Sequence, residues 1–201
     1  MYTGKRPSGI WRGLLTGLLA VALTLPAAVA AGNAEELAGN WSEPYVEALA
    51  EYNIIALPES ECFRPDEEIA LDTFVTWLVS AARGERTDTE TCLSIARNSG
   101  ILDTSLEESE RISRNTAAQI SSLALTNLFG EAEEDDSLAQ QLKDFASCHM
   151  CRSYTSQCYV KGIMIGREER VFGGEAWLTR GEGATIVLRT MDPEYRLPPE
   201  P

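Results

Sequence analysis

The chain repeats itself. Residues 40–80, NWSEPYVEALAEYNIIALPESECFRPDEEIALDTFVTWLVS, lie over residues 149–189, HMCRSYTSQCYVKGIMIGREERVFGGEAWLTRGEGATIVLR, at a constant offset of 109 and without a gap. Tyr45 meets Tyr154, Ile54 meets Ile163, Phe63 meets Phe172 and Ile69 meets Leu178, while Trp77-Leu78-Val79 meets Ile186-Val187-Leu188. A middle copy lies between them. Asn98-Ser99-Gly100-Ile101-Leu102 matches Tyr52-Asn53-Ile54 and Gly162-Ile163, and Ile112-Ser113-Arg114-Asn115-Thr116 matches Leu178-Thr179-Arg180-Gly181-Glu182. The middle copy is shorter by about four loop residues and has no counterpart of the Phe. A period of this kind limits the chain to an architecture of like units. No single unit is large enough to bury its apolar face, so the units must pack together.

Each unit reads as helix, loop, helix. Tyr45, Val46, Leu49 and Ala50 recur at helical spacing in the first helix of unit one. That helix is predicted to end near Asn53, and its counterparts near Gly100 and Gly162, at residues that tolerate the left-handed conformation of a helix C-terminus. A short extended piece around Phe63 or Phe172 follows. The second helix then starts after a Ser or Thr cap, with Phe74, Leu78 and Ala81 as its stripe in unit one and Ile120, Leu123 and Ala124 in unit two. The predicted boundaries are 31–86, 87–130 and 131–192, with a Pro-rich tail at 193–201. Residues 84–90 and 130–136 (GEAEEDD) are expected to be solvated acidic links.

Residues 1–30 have the form of a signal peptide. Lys5, Arg6 and Arg12 make a basic start, Gly13 to Leu25 an apolar stretch, and Ala28-Val29-Ala30 a small-x-small cleavage site. The apolar stretch is short against the roughly 20 residues of a membrane-spanning helix. Cleavage would leave a secreted chain of 171 residues, without membrane association, whose net charge is three units more negative than the −14 of the whole chain. Such a charge repels nucleic acid, whose binding rests on neutralising phosphates with Lys and Arg.

The stretch WLTRGEGATIVLR, Trp177 to Arg189, holds the most telling local chemistry. Thr179 followed three residues later by Glu182 is a capping box, in which each side chain satisfies a backbone N–H of the helix start. Ser113 is the corresponding cap in unit two. Arg180 and Arg114 share the first helical position, where a cation opposes the helix dipole. Free N–H groups and an arginine at that end would together suit a carboxylate. A salt bridge to nearby acidic residues is the alternative. Gly181 and Gly183 each weaken a helix by roughly 1 kcal/mol relative to alanine, and close helix packing is the expected return.

Five cysteines leave one unpaired in any disulfide scheme: Cys62, Cys92, Cys148, Cys151 and Cys158. By repeat register Cys92 replaces Tyr45 and Cys158 replaces Leu49, which places both in the core as small hydrophobes. Cys148-His149-Met150-Cys151 has the spacing of a redox motif but no strand before it, so a structural disulfide involving Cys148 or Cys151 is expected there rather than redox or metal chemistry. With one histidine the chain lacks a serine–histidine–acid set, and no phosphate-binding loop is present. No enzymatic activity, cofactor or metal is expected.

Taken together, the Trp-led helix, Gly-Ile, Phe-x-Pro and Leu-Thr-Arg-x-Glu resemble the S-layer homology (SLH) domain. Unit one carries Trp41, Asn53-Ile54 and Phe63-Arg64-Pro65; unit three carries His149-Met150, Gly162-Ile163-Met164-Ile165-Gly166, Phe172 and Leu178-Thr179-Arg180-Gly181-Glu182. The likeness spans nearly all of residues 31–192 and is most specific in unit three. It implies a mainly α fold, with three SLH-like repeats packed as a pseudo-threefold bundle. It further implies noncovalent attachment to a bacterial cell wall or surface layer. The partner would be an acidic, often pyruvylated, secondary cell-wall polysaccharide bound in grooves between repeats. Arg180, Arg114, Trp41 and Gly162 are then the expected ligand contacts, and His149 packs at a helix start. Unit one departs from the pattern with Leu71 in the arginine slot, and unit two with Thr116 in the glutamate slot. A degenerate triplet that binds another envelope protein is the second reading, and a small Cys-based redox or metal-binding protein the third.

Overall fold

The computed structural model describes residues 36–57, 62–103, 110–145, 152–168 and 170–199. The expected signal peptide, His149, Cys148 and Cys151 lie outside them. The fold is mainly helical. Helices α1 (Glu43–Glu51) and α2 (Leu71–Arg83) belong to the first unit, α3 (Thr89–Asn98) and α4 (Arg114–Asn127) to the second, and α5 (Arg152–Val160) and α6 (Arg180–Met191) to the third. Short 3-10 turns cover Ser137–Gln141 and Pro193–Tyr195.

The second helices α2, α4 and α6 touch one another, and each also packs on the first helix of the next unit: α2 on α3, α4 on α5, and α6 on α1. Helix α6 is accordingly buried along almost its whole length, from Gly181 to Thr190, as expected of a helix surrounded by protein. Its buried hydroxyls are satisfied within the helix, Thr185 donating to the Gly181 carbonyl at 2.9 Å and Thr190 to that of Ile186 at 2.7 Å. The apolar stripes expected from periodicity face inward, with Val46, Leu49, Phe74, Leu78, Ala81, Ile120 and Ala124 buried and Leu123 partly so.

Backbone bonds join the three loops at register-equivalent positions. The Ile69 N–H donates to the Leu178 carbonyl (2.9 Å), Leu178 N–H to Ile112 (2.9 Å), and Ile112 N–H back to Ile69 (3.3 Å). One step along, Leu71 N–H donates to Glu110 (2.9 Å), Arg114 N–H to Ala176 (2.9 Å) and Arg180 N–H to Glu67 (2.8 Å). These bonds replace a sheet: among the described residues there are isolated bridges and no named strand. They satisfy buried backbone polar groups that would otherwise destabilise the centre.

Three turns show why the first helices end where they do. Asn53, Gly100 and Gly162 all take positive φ, between 56° and 72°, and a left-handed residue there redirects the chain into Ile54, Ile101 or Ile163, each fully buried. Gly162 has a second role. A Cβ on it would lie 2.2 Å from the backbone nitrogen of Pro198, because the C-terminal segment runs directly over the turn, its Leu197 N–H donating to the Gly162 carbonyl at 3.0 Å. The tail is therefore docked. Arg196 fastens it, reaching the carbonyls of Arg189 and Thr190 and the carboxylate of Glu131 at 2.8 Å.

The second acidic link is also held. Lys161, nearly buried, donates to the Ala132 carbonyl at 2.8 Å and pairs with Glu134 at 3.1 Å and Glu131 at 3.6 Å. The Gln157 amide exchanges two bonds with the Glu134 backbone, as another peptide group would. The link expected to be a solvated connector is fastened by Gln157 of α5 and by Lys161 in the turn after it.

Candidate functional site

Three like-placed helix starts set out the chemistry. The capping box is formed: Thr179 Oγ accepts from the Glu182 N–H at 3.3 Å and the Glu182 carboxylate accepts from the Thr179 N–H at 3.0 Å. Ser113 Oγ likewise accepts from the Thr116 N–H at 3.1 Å. The glycines allow close packing as expected. A Cβ on Gly181 would lie 2.8 Å from Ser42 Oγ and 3.2 Å from the Pro65 carbonyl, and one on Gly183 would lie 2.8 Å from Ile69 Cδ1.

The helix N-termini are not open to an anion. Arg180 and Gly181 donate their backbone N–H groups to Glu67 and Pro65, and Arg114 and Asn115 donate theirs to Ala176 and Gly174. The groups that a helix start normally leaves unpaired are taken by carbonyls of the neighbouring unit, and the next N–H by the cap. This corrects the expectation of free N–H groups beside each arginine. The same neighbours explain how a cation tolerates the position. Arg180 Nε donates to the Phe63 carbonyl at 2.8 Å, with its guanidinium 5.1 Å from the Phe63 ring centre and 5.2 Å from that of Trp77. Arg114 Nε donates to the Phe172 carbonyl at 3.2 Å, with the same 5.1 Å to the Phe172 ring. Burial pulls both guanidiniums below their ordinary pKa, offset by Glu67 at Arg180 and by Glu182 at Arg114.

A cavity of about 400 Å³ opens where the third unit meets the first. Trp41 and Tyr45 line it from the first unit, and the run Ile163 to Arg167 with Glu182 and Arg189 from the third. Arg114 reaches it from the second unit. Glu182 stands between two of the three arginines, 2.7 Å from Arg167 and 3.4 Å from Arg114. Three arginines against one carboxylate make the cavity positive in a chain whose net charge is −14. Such a lining can hold an anion by charge-assisted bonds. Trp41, Ile165 and Leu197 are exposed large apolar side chains, and all three border this cavity.

The structure brings two of the four expected contacts to this place, Trp41 and Arg114. Arg180 does not line the cavity, and Gly162 lies under the C-terminal tail. Arg167, Arg189 and Tyr45 are additions that sequence reasoning did not single out.

Residues 37–69 match the family model of the S-layer homology domain. No curated protein matches the chain. The matched segment holds Trp41, Tyr45 and Phe63, so one wall of the cavity and the acceptor for Arg180 both come from it. It lies within the predicted first unit, although the third carries the fuller motif, and it ends two residues before Leu71.

Cys92 and Cys158 are fully buried, as their register implies, and Cys62 is exposed. Burial pushes the Cys158 thiol up to about 12, which leaves almost no thiolate and an inert side chain. Among the described residues no group of three or more His, Cys, Asp or Glu is arranged to hold a metal ion. No described helix is long and apolar enough to cross a membrane.

Proposed function

We propose that this chain is a secreted binding protein without catalytic activity that associates noncovalently with the bacterial cell wall or surface layer. Its three units act as SLH repeats in a pseudo-threefold bundle, a reading supported by the cyclic backbone bonds at Ile69, Ile112 and Leu178. An acidic secondary wall polysaccharide is the partner, seated between the third and first units. One observation carries this reading: Trp41, from the segment similar to the SLH domain, and Arg114 meet Arg167 and Arg189 in one positive cavity of an otherwise acidic protein. Polar groups few in number, set among apolar ones, are what a small-ligand pocket requires.

The test is sedimentation with purified wall sacculi, before and after the accessory polysaccharide is stripped. Binding that disappears on stripping and weakens in Trp41→Ala supports the reading. Equal pelleting with stripped walls, or none with intact ones, sinks it. Capture of another envelope protein in place of the polysaccharide would favour the interaction-module reading.

A further inference from the structure

The three arginines of the cavity are not equivalent. Arg114 uses all three guanidinium nitrogens inside the protein: Nε on the Phe172 carbonyl, Nη2 on the Ile165 carbonyl at 2.8 Å, and Nη1 on Glu182. Arg167 Nη2 reaches both oxygens of the same glutamate, at 2.7 and 2.9 Å. Arg189 differs. It is 95% buried, and among the described residues it has no carboxylate within ion-pair distance. Its Nη2 donates to the Tyr45 hydroxyl at 3.0 Å, its guanidinium lies 5.2 Å from the centre of that ring, and its Nη1 makes a long contact to the Ile163 carbonyl at 3.4 Å, while Nε finds no acceptor. A guanidinium has five N–H donors, so most of its capacity is unused. A buried charge without a counter-charge is unfavourable, and this one lines a cavity large enough for a sugar residue.

The repeat register sharpens the point. Arg189 is equivalent to Ser80 in unit one and Leu123 in unit two, and its partner Tyr45 is equivalent to Cys92. At the boundary of units one and two the counterpart pair is Ser80 and Cys92, 3.8 Å apart and uncharged. Neither packing nor capping requires a cation at this position, since the equivalent contact forms without one.

We propose that Arg189 is the anion-binding residue of the cavity, and that its ligand is a carboxylate-bearing saccharide. One uncompensated arginine suits a single negative charge, and Glu182, about two turns away on the same helix, disfavours a dianion such as phosphate. The exposed Trp41, Ile165 and Leu197 around it offer apolar surface to the C–H face of a sugar ring. This inference rests on the wall-binding reading above for the saccharide and on the geometry alone for the residue.

The experiment follows the Arg189 Nε–H resonance by NMR while sodium glucuronate, glucose or glucose 6-phosphate is added. Glucuronate should shift it saturably, and glucose should not. Arg189→Met should bind glucuronate about thirtyfold more weakly or worse, the loss expected when one partner of a buried charge pair is truncated. Its thermal midpoint without ligand should stay level or rise, because an apolar side chain of similar length replaces an unpaired buried charge. Arg189→Lys should retain part of the affinity. A lower midpoint with unchanged glucuronate affinity would make Arg189 a structural residue and overturn the proposal. So would equal shifts with glucose, or tighter binding of glucose 6-phosphate. Should Arg189→Met fail to fold, the wild-type titrations decide. Sacculus binding that survives in Arg189→Met, with no glucuronate response, overturns this proposal and leaves the wall reading intact. A glucuronate shift in a protein that ignores sacculi does the reverse.

Discussion

The boundary between units two and three and the boundary between units one and two occupy equivalent places and are built differently. At the first, Arg114 reaches across to the Phe172 carbonyl and stacks on its ring. At the boundary of units three and one, Arg180 does the same with Phe63. In the repeat register Leu71 holds the arginine slot of unit one, and the loop of unit two, beginning at Asp103, contains no aromatic residue. The arginine of one unit and the phenylalanine of the next form a single clamp, and in the repeat register both halves are missing at one boundary. A leucine needs no such partner, whereas a buried guanidinium without one is unfavourable. In the sequence, the missing arginine of unit one goes with a shortened loop in unit two.

Removing the clamps should show how unequal the two are. Arg114→Leu leaves the Phe172 and Ile165 carbonyls without a donor and takes from Glu182 one of its two cations, all with little access to water. A loss of about 3 kcal/mol in urea unfolding is expected. Arg180 is half-buried and makes one bond, so Arg180→Leu should lose about 1 kcal/mol. Equal losses would show that the shared Phe contact, and not the Glu182 network, dominates.

The reverse substitution tests whether Leu71 is matched to its surroundings. Leu71 is 1% exposed, and Leu71→Arg gives up that burial without gaining a clamp, for a loss of about 2 kcal/mol by thermal or urea unfolding. A neutral or stabilising result would mean that an arginine is accommodated at position 71 without a phenylalanine to receive it.

Much of this was legible in the chain itself. The ungapped offset placed Asn53 and Gly162 at equivalent turns and the shorter middle copy added Gly100, and the capping box and the close-packed glycines are local features with local signals. The clamps were half legible: the arginines, the phenylalanines and the exceptional Leu71 stand out in the alignment of units. Their pairing across boundaries does not, because it joins residues 58 and 117 positions apart. Arg189 gave no sequence signal, since an arginine in the last turn of a helix favours the dipole and reads as an ordinary surface choice. Only the packing of α6 against α1 buries it. The docked tail and the Lys161 anchor were missed for the same reason, as short polar segments carry no periodicity to show what they lie against.

The glycines separate the two faces of α6. Gly181→Ala sets a methyl against Ser42 and the fixed carbonyl of Pro65, and should lower stability by about 1 kcal/mol after the gain in helix propensity. Gly183→Ala meets the end of the Ile69 side chain, which can turn aside, and should be close to neutral. A larger loss at Gly183 than at Gly181 in the same melts would place the tightest packing toward α2 instead of α1.

The smallest effect addresses the remaining difference among the three helix starts. Ser113 and Thr179 cap α4 and α6, whereas α2 begins at Ala70, whose side chain can accept nothing. Yet Ala70 has φ −79° and ψ 153°, close to the −79° and 163° of Ser113 and the −86° and 163° of Thr179. The backbone is already shaped for a cap. The N–H that a cap would bind, that of Thr73, is instead taken by the Asp72 carboxylate. A threonine at position 70 should therefore add little, because the donor has a partner. With Asp72→Ala in place the same Ala70→Thr change should add about 1 kcal/mol, the ordinary worth of an N-cap. A double-mutant cycle reads the difference directly. If Ala70→Thr stabilises equally in both backgrounds, Asp72 is no substitute cap, and the start of α2 is held by its Leu71 N–H bond to Glu110 alone.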